Sequence, residues 1–197
     1  TISMAVNLPV YIAISPSEDN QAHFYFHQLN DSKKTTLSSI KVKKEDRWSN
    51  NVKAMIYGFT SGGFEVKGMN ITIYTDILPS AGFGITTAIK VGTALAIRQL
   101  FKIPCTDDQL LQVIERGNKL FLHVGNYIAD NYAVLYSKPG NLIITDHATG
   151  EYDYIPDSVL SAVKTMFNDY VREKEVVDSA NRKEGMFRLY NVKFDIG

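Results

Sequence analysis

The chain has 197 residues, 45% of them apolar, with 21 basic and 21 acidic side chains. That size and apolar content fit one large domain, or a domain with a helical extension, around a real core. The balanced charge speaks against nucleic acid or an anionic membrane as partner, and no apolar run approaches the ~18 residues of a membrane span.

The single cysteine, Cys105, excludes an internal disulfide and fits a reducing compartment, which places the protein in the cytoplasm as an expectation. No base stands near it in sequence, so a buried thiol is the plainer reading. The first residues carry neither an initiator methionine nor a signal-peptide pattern, as expected of a segment from a longer protein.

The first forty residues read as β. Val10 to Ile14 is one strand, Pro16 to Asn20 a turn, and His23 to Leu29 a second strand. Lys41 to Asp46 is a charge cluster, expected on a solvated face. Trp48, Val52, Met55, Ile56 and Phe59 recur at helical spacing, and Ser61-Gly62-Gly63 ends that helix.

Ile71 to Ile77 is the richest run of β-branched residues. After it comes Pro79-Ser80-Ala81-Gly82-Phe83-Gly84-Ile85-Thr86-Thr87, leading into an apolar helix from Thr87 to Phe101. Glycines and hydroxyls between a strand and a helix N-terminus can hold a phosphate. The first N–H groups of the helix lack partners, the dipole adds positive charge, and glycine lets the backbone approach an anion. The alternative is a tight turn without a ligand.

Thr106-Asp107-Asp108-Gln109 reads as a capping box that starts a helix running to about Phe121. Tyr132 to Tyr136 and Leu142 to Thr145, around Lys138-Pro139-Gly140-Asn141, read as a β-hairpin. Ser158 to about Ala180 reads as a long helix, and Phe187 to Phe194 as a closing strand. The mixed order points to an α+β fold, with an antiparallel or mixed sheet covered by helices.

Asp130, just before the expected hairpin, is a candidate general base toward a substrate hydroxyl; an Asx turn is the alternative. Glu115 and Asn118 fall on one helix face and could reach a metal, although a helical glutamate is more often only solvated. His23, His27, His123 and His147 form no metal-ligand spacing, and no Ser-His-Asp or Cys-His arrangement is present.

Taken in order, three segments resemble the GHMP small-molecule kinases, the galactokinase branch in particular. Trp48-Ser49-Asn50-Asn51-Val52 is similar to that branch's Trp-x-Asn-Tyr-Val. Asp76-Ile77-Leu78-Pro79, running into Gly82-Phe83-Gly84-Ile85-Thr86-Thr87-Ala88, is similar to the phosphate-binding motif Pro-x3-Gly-Leu-Gly-Ser-Ser-Ala-Ala. Asn126-Tyr127-Ile128-Ala129-Asp130-Asn131-Tyr132 is similar to Cys-Gly-Ile-Met-Asp-Gln-Phe, which holds the catalytic aspartate.

The resemblance implies the family's N-terminal domain over residues 1–156, a ribosomal-protein-S5-domain-2-like fold, with 157–197 as an extension or the start of a C-terminal region. It implies ATP and Mg2+ as cofactors and a small-molecule sugar as substrate. Pro79, Ser80, Ala81, Gly82, Phe83, Gly84, Ile85, Thr86 and Thr87 would wrap the ATP phosphates. Asp130 would act on the sugar hydroxyl, and Thr87 and Asn118 would face the metal.

The sequence also departs from the family pattern. The loop has Pro-x2-Gly for Pro-x3-Gly, Thr-Thr replaces Ser-Ser, and Tyr127 stands for a glycine. Asn118 falls where the family's magnesium-binding glutamate is expected. The sugar-binding Glu-His-x-Asp motif would lie before Thr1. A non-catalytic nucleotide- or sugar-binding relative is therefore the alternative to an active sugar kinase, and an unrelated α+β binding domain is a third reading.

Overall fold

Met69–Thr75 alternates apolar and polar residues, so one side of this strand enters the core while the other meets water. Met69, Ile71 and Ile73 are completely or almost completely buried, and Asn70, Thr72 and Tyr74 face outward. A computed structural model of the chain describes residues 1–77, 82–159, 162 and 165. The expected helix from Ser158 and strand from Phe187 lie almost wholly outside these residues, as do Pro79, Ser80 and Ala81.

The described elements, in order, are β1 (Ile2–Ser3), β2 (Val10–Pro16), β3 (Gln21–Phe26), β4 (Asp31–Thr36), α1 (Ser49–Ser61), β5 (Met69–Thr75), α2 (Ile85–Leu100), α3 (Asp107–Arg116), a π-helical segment (Gly117–Leu122), α4 (Ile128–Tyr136), β6 (Asn141–Thr145) and β7 (Tyr152–Pro156). Four strands form a mixed sheet in the order β2-β5-β3-β4. β5 runs antiparallel to β2, with Ile12 opposite Ile73, and parallel to β3, with Phe24 opposite Ile71. A smaller antiparallel sheet has the order β1-β6-β7.

Helices cover the inner face of the four-stranded sheet. α1 presents Val52, Met55, Ile56 and Phe59 to a core shared with Phe24, Phe26, Ile71 and Ile73. α2 packs on β2 and beside α1, and α4 lies against α2 and the small sheet. Gly92 on α2 faces β2: a Cβ there would stand 3.0 Å from Ile12 Cγ1. This close approach explains a glycine inside a helix despite its cost of ~1 kcal/mol.

The expected α+β fold with a mixed, helix-covered sheet is the one observed. Several local expectations are corrected. Tyr132 to Tyr136 belongs to α4, not to a strand, and the hairpin is β6–β7, closed by a turn in which Gly150 N–H donates to the Asp146 carbonyl at 2.8 Å. β3 stops at Phe26, where His27–Leu29 turns instead of extending. The helix begun by the capping box changes to π geometry at Gly117. The charge cluster is not wholly solvated, because Asp46 is buried.

Candidate active site

A cleft of about 870 Å³ opens between the N-terminal segment, the start of α2 and the inner side of α4. Gly82, Phe83, Gly84, Thr87 and Ala88 line one wall, and Asp130 and Ala133 line another. Two segments more than forty residues apart in sequence, each identified beforehand as a candidate site, therefore share one cavity.

Local geometry shapes the first wall. Gly82 and Gly84 adopt left-handed conformations, with φ of 78° and 67°, which favour glycine over any residue carrying a Cβ. Gly84 is the N-cap of α2, so Ile85, Thr86 and Thr87 form its first turn and the helix begins two residues earlier than expected. The earliest intrahelical bond here joins Ala88 N–H to the Gly84 carbonyl at 2.9 Å. Helix geometry gives the preceding N–H groups no partner of this kind, and the positive end of the helix dipole faces the same place. Thr87 lines the cleft, while Ile85 and the exposed Thr86 stand beside it.

Asp130 is exposed and lies in the first turn of α4, where a carboxylate complements the dipole. Joined to the same turn through Asn131 is a polar network that sequence reasoning only half found; it includes the metal candidate Asn118, and none of its residues lines the cleft. The Lys90 ammonium on α2 donates to Asn118 Oδ1 at 2.8 Å. Asn118 Nδ2 donates to Asn126 Oδ1 at 2.9 Å, and Asn131 Nδ2 donates to the same oxygen at 3.2 Å. Lys90, Asn118 and Asn131 are all buried. Burial pushes the Lys90 pKa below its ordinary value, and the charge of Asp130 pushes it back up.

Sequence reasoning did not single out Lys90, Asn126 or Asn131 as members of this network. A lone cation among Ala88, Ile89, Val91 and Ala94 was the available signal, because a charge on an apolar helix face needs a buried partner. The other candidates go elsewhere. Glu115 is paired with Lys119 on its own helix, His23 with Asp19, and Tyr127 is 68% exposed and absent from the cleft lining. No group of three or more His, Cys, Asp or Glu able to hold a metal exists among the described residues. No described helix is long and apolar enough to cross a membrane.

This fold and cleft define a class. Residues 50–138 match the GHMP kinases N-terminal domain, and this match bears out the resemblance to the galactokinase-like branch of that superfamily. It is 31% identical over 179 residues to a galactokinase of Ligilactobacillus salivarius, covering 89% of this chain and 46% of that protein. It is 33% identical over 147 residues to a Treponema pallidum protein with a provisional galactokinase name, covering 75% of this chain and 37% of the relative. The Lactococcus lactis galactokinase crystallised with galactose shares the fold, with a TM-score of 0.70 at 21% identity, over 78% of this chain and 40% of that one. The chain thus spans less than half the length of these relatives.

Proposed function

We propose that this chain contributes the phosphate- and sugar-facing part of an ATP-dependent kinase acting on a sugar hydroxyl, with residues 1–156 as its N-terminal domain. One observation carries the reading: the first turn of α2 and Asp130 meet in one cleft. An anion cradle beside a carboxylate is the arrangement that phosphoryl transfer to an alcohol requires.

In this proposal the phosphates of ATP rest on the Gly82–Gly84 backbone, the first N–H groups of α2 and the Thr86 and Thr87 hydroxyls. Pro79, Ser80 and Ala81, assigned to the same phosphate cradle by the motif, lie outside the described residues. Asp130 orients the sugar hydroxyl and accepts its proton as the oxygen attacks the γ-phosphorus; the bond to the β-phosphate oxygen breaks and ADP leaves. Most of the catalytic effect is positioning and charge neutralisation, with the proton acceptor adding a smaller share.

A divalent ion would screen the phosphates in such a reaction. Thr87, on the cleft wall, fits that task. Asn118 does not: it is neutral, its oxygen already accepts from an ammonium and its nitrogen donates to Asn126. That departure is the observation favouring a second reading, a relative that binds nucleotide or sugar without transfer.

The longest natural polypeptide carrying this sequence should be incubated with ATP and a panel of monosaccharides, galactose first, with phosphorylated product followed by 31P NMR. Product with one sugar supports the kinase. ATP binding without product across the panel supports the second reading, and no ATP binding in any condition overturns both.

A further inference from the structure

Lys90 presents an unusual balance of forces. Its side chain enters the interior from an otherwise apolar stretch of α2, and only 7% of the residue remains exposed. Burying an ammonium costs several kcal/mol unless partners compensate. Its hydrogen-bond partner is an amide oxygen, Asn118 Oδ1, at 2.8 Å. The charge of Asp130, which lines the cleft, favours the ammonium, while Lys90 itself stands behind the lining. A helix would lose nothing locally by carrying methionine or leucine here; the cost would fall on the buried Asn118 oxygen, left without this donor.

The amide chain fixes where this charge stands. Asn118 is oriented from both ends, by Lys90 on its oxygen and by Asn126 on its nitrogen. Asn126 Oδ1 also accepts from Asn131, the residue next to Asp130. The ammonium is therefore tied, through three amides, to the N-terminal turn of α4 that carries the cleft carboxylate. Asn118 oxygen can serve a metal ion or the lysine, and the lysine holds it. A cation brought to the same oxygen would also meet the repulsion of a fixed unit charge.

We infer that the Lys90 ammonium is the resident cation of this site, supplying beside Asp130 the positive charge that a divalent ion on Asn118 would otherwise bring. The inference rests on the reading of the cleft as a nucleotide site. Lys90 is a positioning residue: it acts on the charge of the cleft through Asp130 and the amide chain. One consequence follows for binding. The protein should accept the metal-free nucleotide, because part of the phosphate charge is offset by a cation that is covalently part of the chain.

The test is calorimetric binding of the non-hydrolysable ATP analogue AMP-PNP to the longest natural polypeptide carrying this sequence, with excess Mg2+ and again with EDTA. The wild type should keep its affinity within about threefold on chelation, whereas Lys90→Met should lose about tenfold or more in EDTA and less in Mg2+, as removal of a nearby unit charge predicts. The ratio of the two affinities is a readout that a merely structural role would not move. Asn118→Asp, nearly isosteric, provides a second route. Its carboxylate should neutralise Lys90 and make binding metal-dependent in the same direction, and it serves alone if Lys90→Met does not fold.

A wild type that loses tenfold or more on chelation overturns the inference while leaving the nucleotide site intact. Equal losses by Lys90→Met in both conditions also overturn it. Absence of AMP-PNP binding in every condition overturns the nucleotide reading itself.

Discussion

The Lys53 ammonium on α1 and the Asp46 carboxylate just before that helix form a buried ion pair, with the lysine side chain 1% exposed and the aspartate side chain 11%. Lys53 also donates to the Lys41 carbonyl at 3.4 Å, so the segment before α1 is fastened to the helix by one cation. Asp46→Ala leaves that cation buried without its counter-charge and should cost about 3–5 kcal/mol. The double variant Asp46→Leu/Lys53→Met should recover most of the loss. Urea denaturation of the three proteins measures it; a loss below 1 kcal/mol for the single variant would show that water reaches the pair.

Gly58 on α1 faces the Val113 carbonyl of α3 with no room for a Cβ. Intrinsic helix propensity favours alanine over glycine by about 1 kcal/mol, so propensity alone predicts that Gly58→Ala stabilises. The contact with rigid backbone predicts the opposite, a loss of about 1–3 kcal/mol from overpacking. A thermal melt decides by sign.

Asp130→Asn preserves the shape of the side chain and removes its capacity to accept a proton. On the proposed mechanism phosphoryl transfer should fall about 10²–10⁴-fold, the range of general base catalysis, while nucleotide affinity holds or rises because a negative charge leaves the cleft. Single-turnover kinetics and nucleotide titration separate the two quantities. Parallel loss of both would make the residue structural.

Tyr136 lies in a cluster with Tyr132, Tyr152 and Tyr154, its ring stacked on that of Tyr152 at 5.0 Å between centroids. Burial, with nearby acidic residues adding to it, pushes the Tyr136 phenol from 10.0 up to about 12. The folded chain therefore holds this proton more tightly than the unfolded chain. The associated stability is fully present below pH 10 and is lost as pH rises toward 12. Tyr136→Phe should flatten the fall in stability across that window. An unchanged alkaline slope, followed by denaturant midpoints at each pH, would remove Tyr136 as its source.

Features that depend on a few neighbouring residues were legible in the sequence. The capping box formed as expected: the Gln109 N–H donates to Thr106 Oγ1 at 3.2 Å, and the Thr106 N–H donates to Gln109 Oε1 at 2.9 Å. The α1 stripe and the alternation of β5 likewise follow from local periodicity, because side-chain direction along a helix or strand is fixed by backbone geometry. The three motifs in their order identified the family and the two walls of the cleft before any coordinates.

Other features needed the tertiary structure. β4 reads Asp-Ser-Lys-Lys-Thr-Thr and shows no apolar alternation, since it is the outer strand at one edge of the sheet and buries little. Tyr-Ala-Val-Leu-Tyr has strand-like composition, yet it completes α4 because Ala129, Tyr132 and Ala133 recur at helical spacing and are buried. The bond from Lys90 to Asn118 spans 28 residues and two helices. No local pattern encodes that distance, and only packing decides which buried polar groups meet. The sequence by itself determined the fold and the loop that faces the cleft. Packing alone decided that a lysine, buried and hydrogen-bonded, holds the asparagine where a metal ligand was expected.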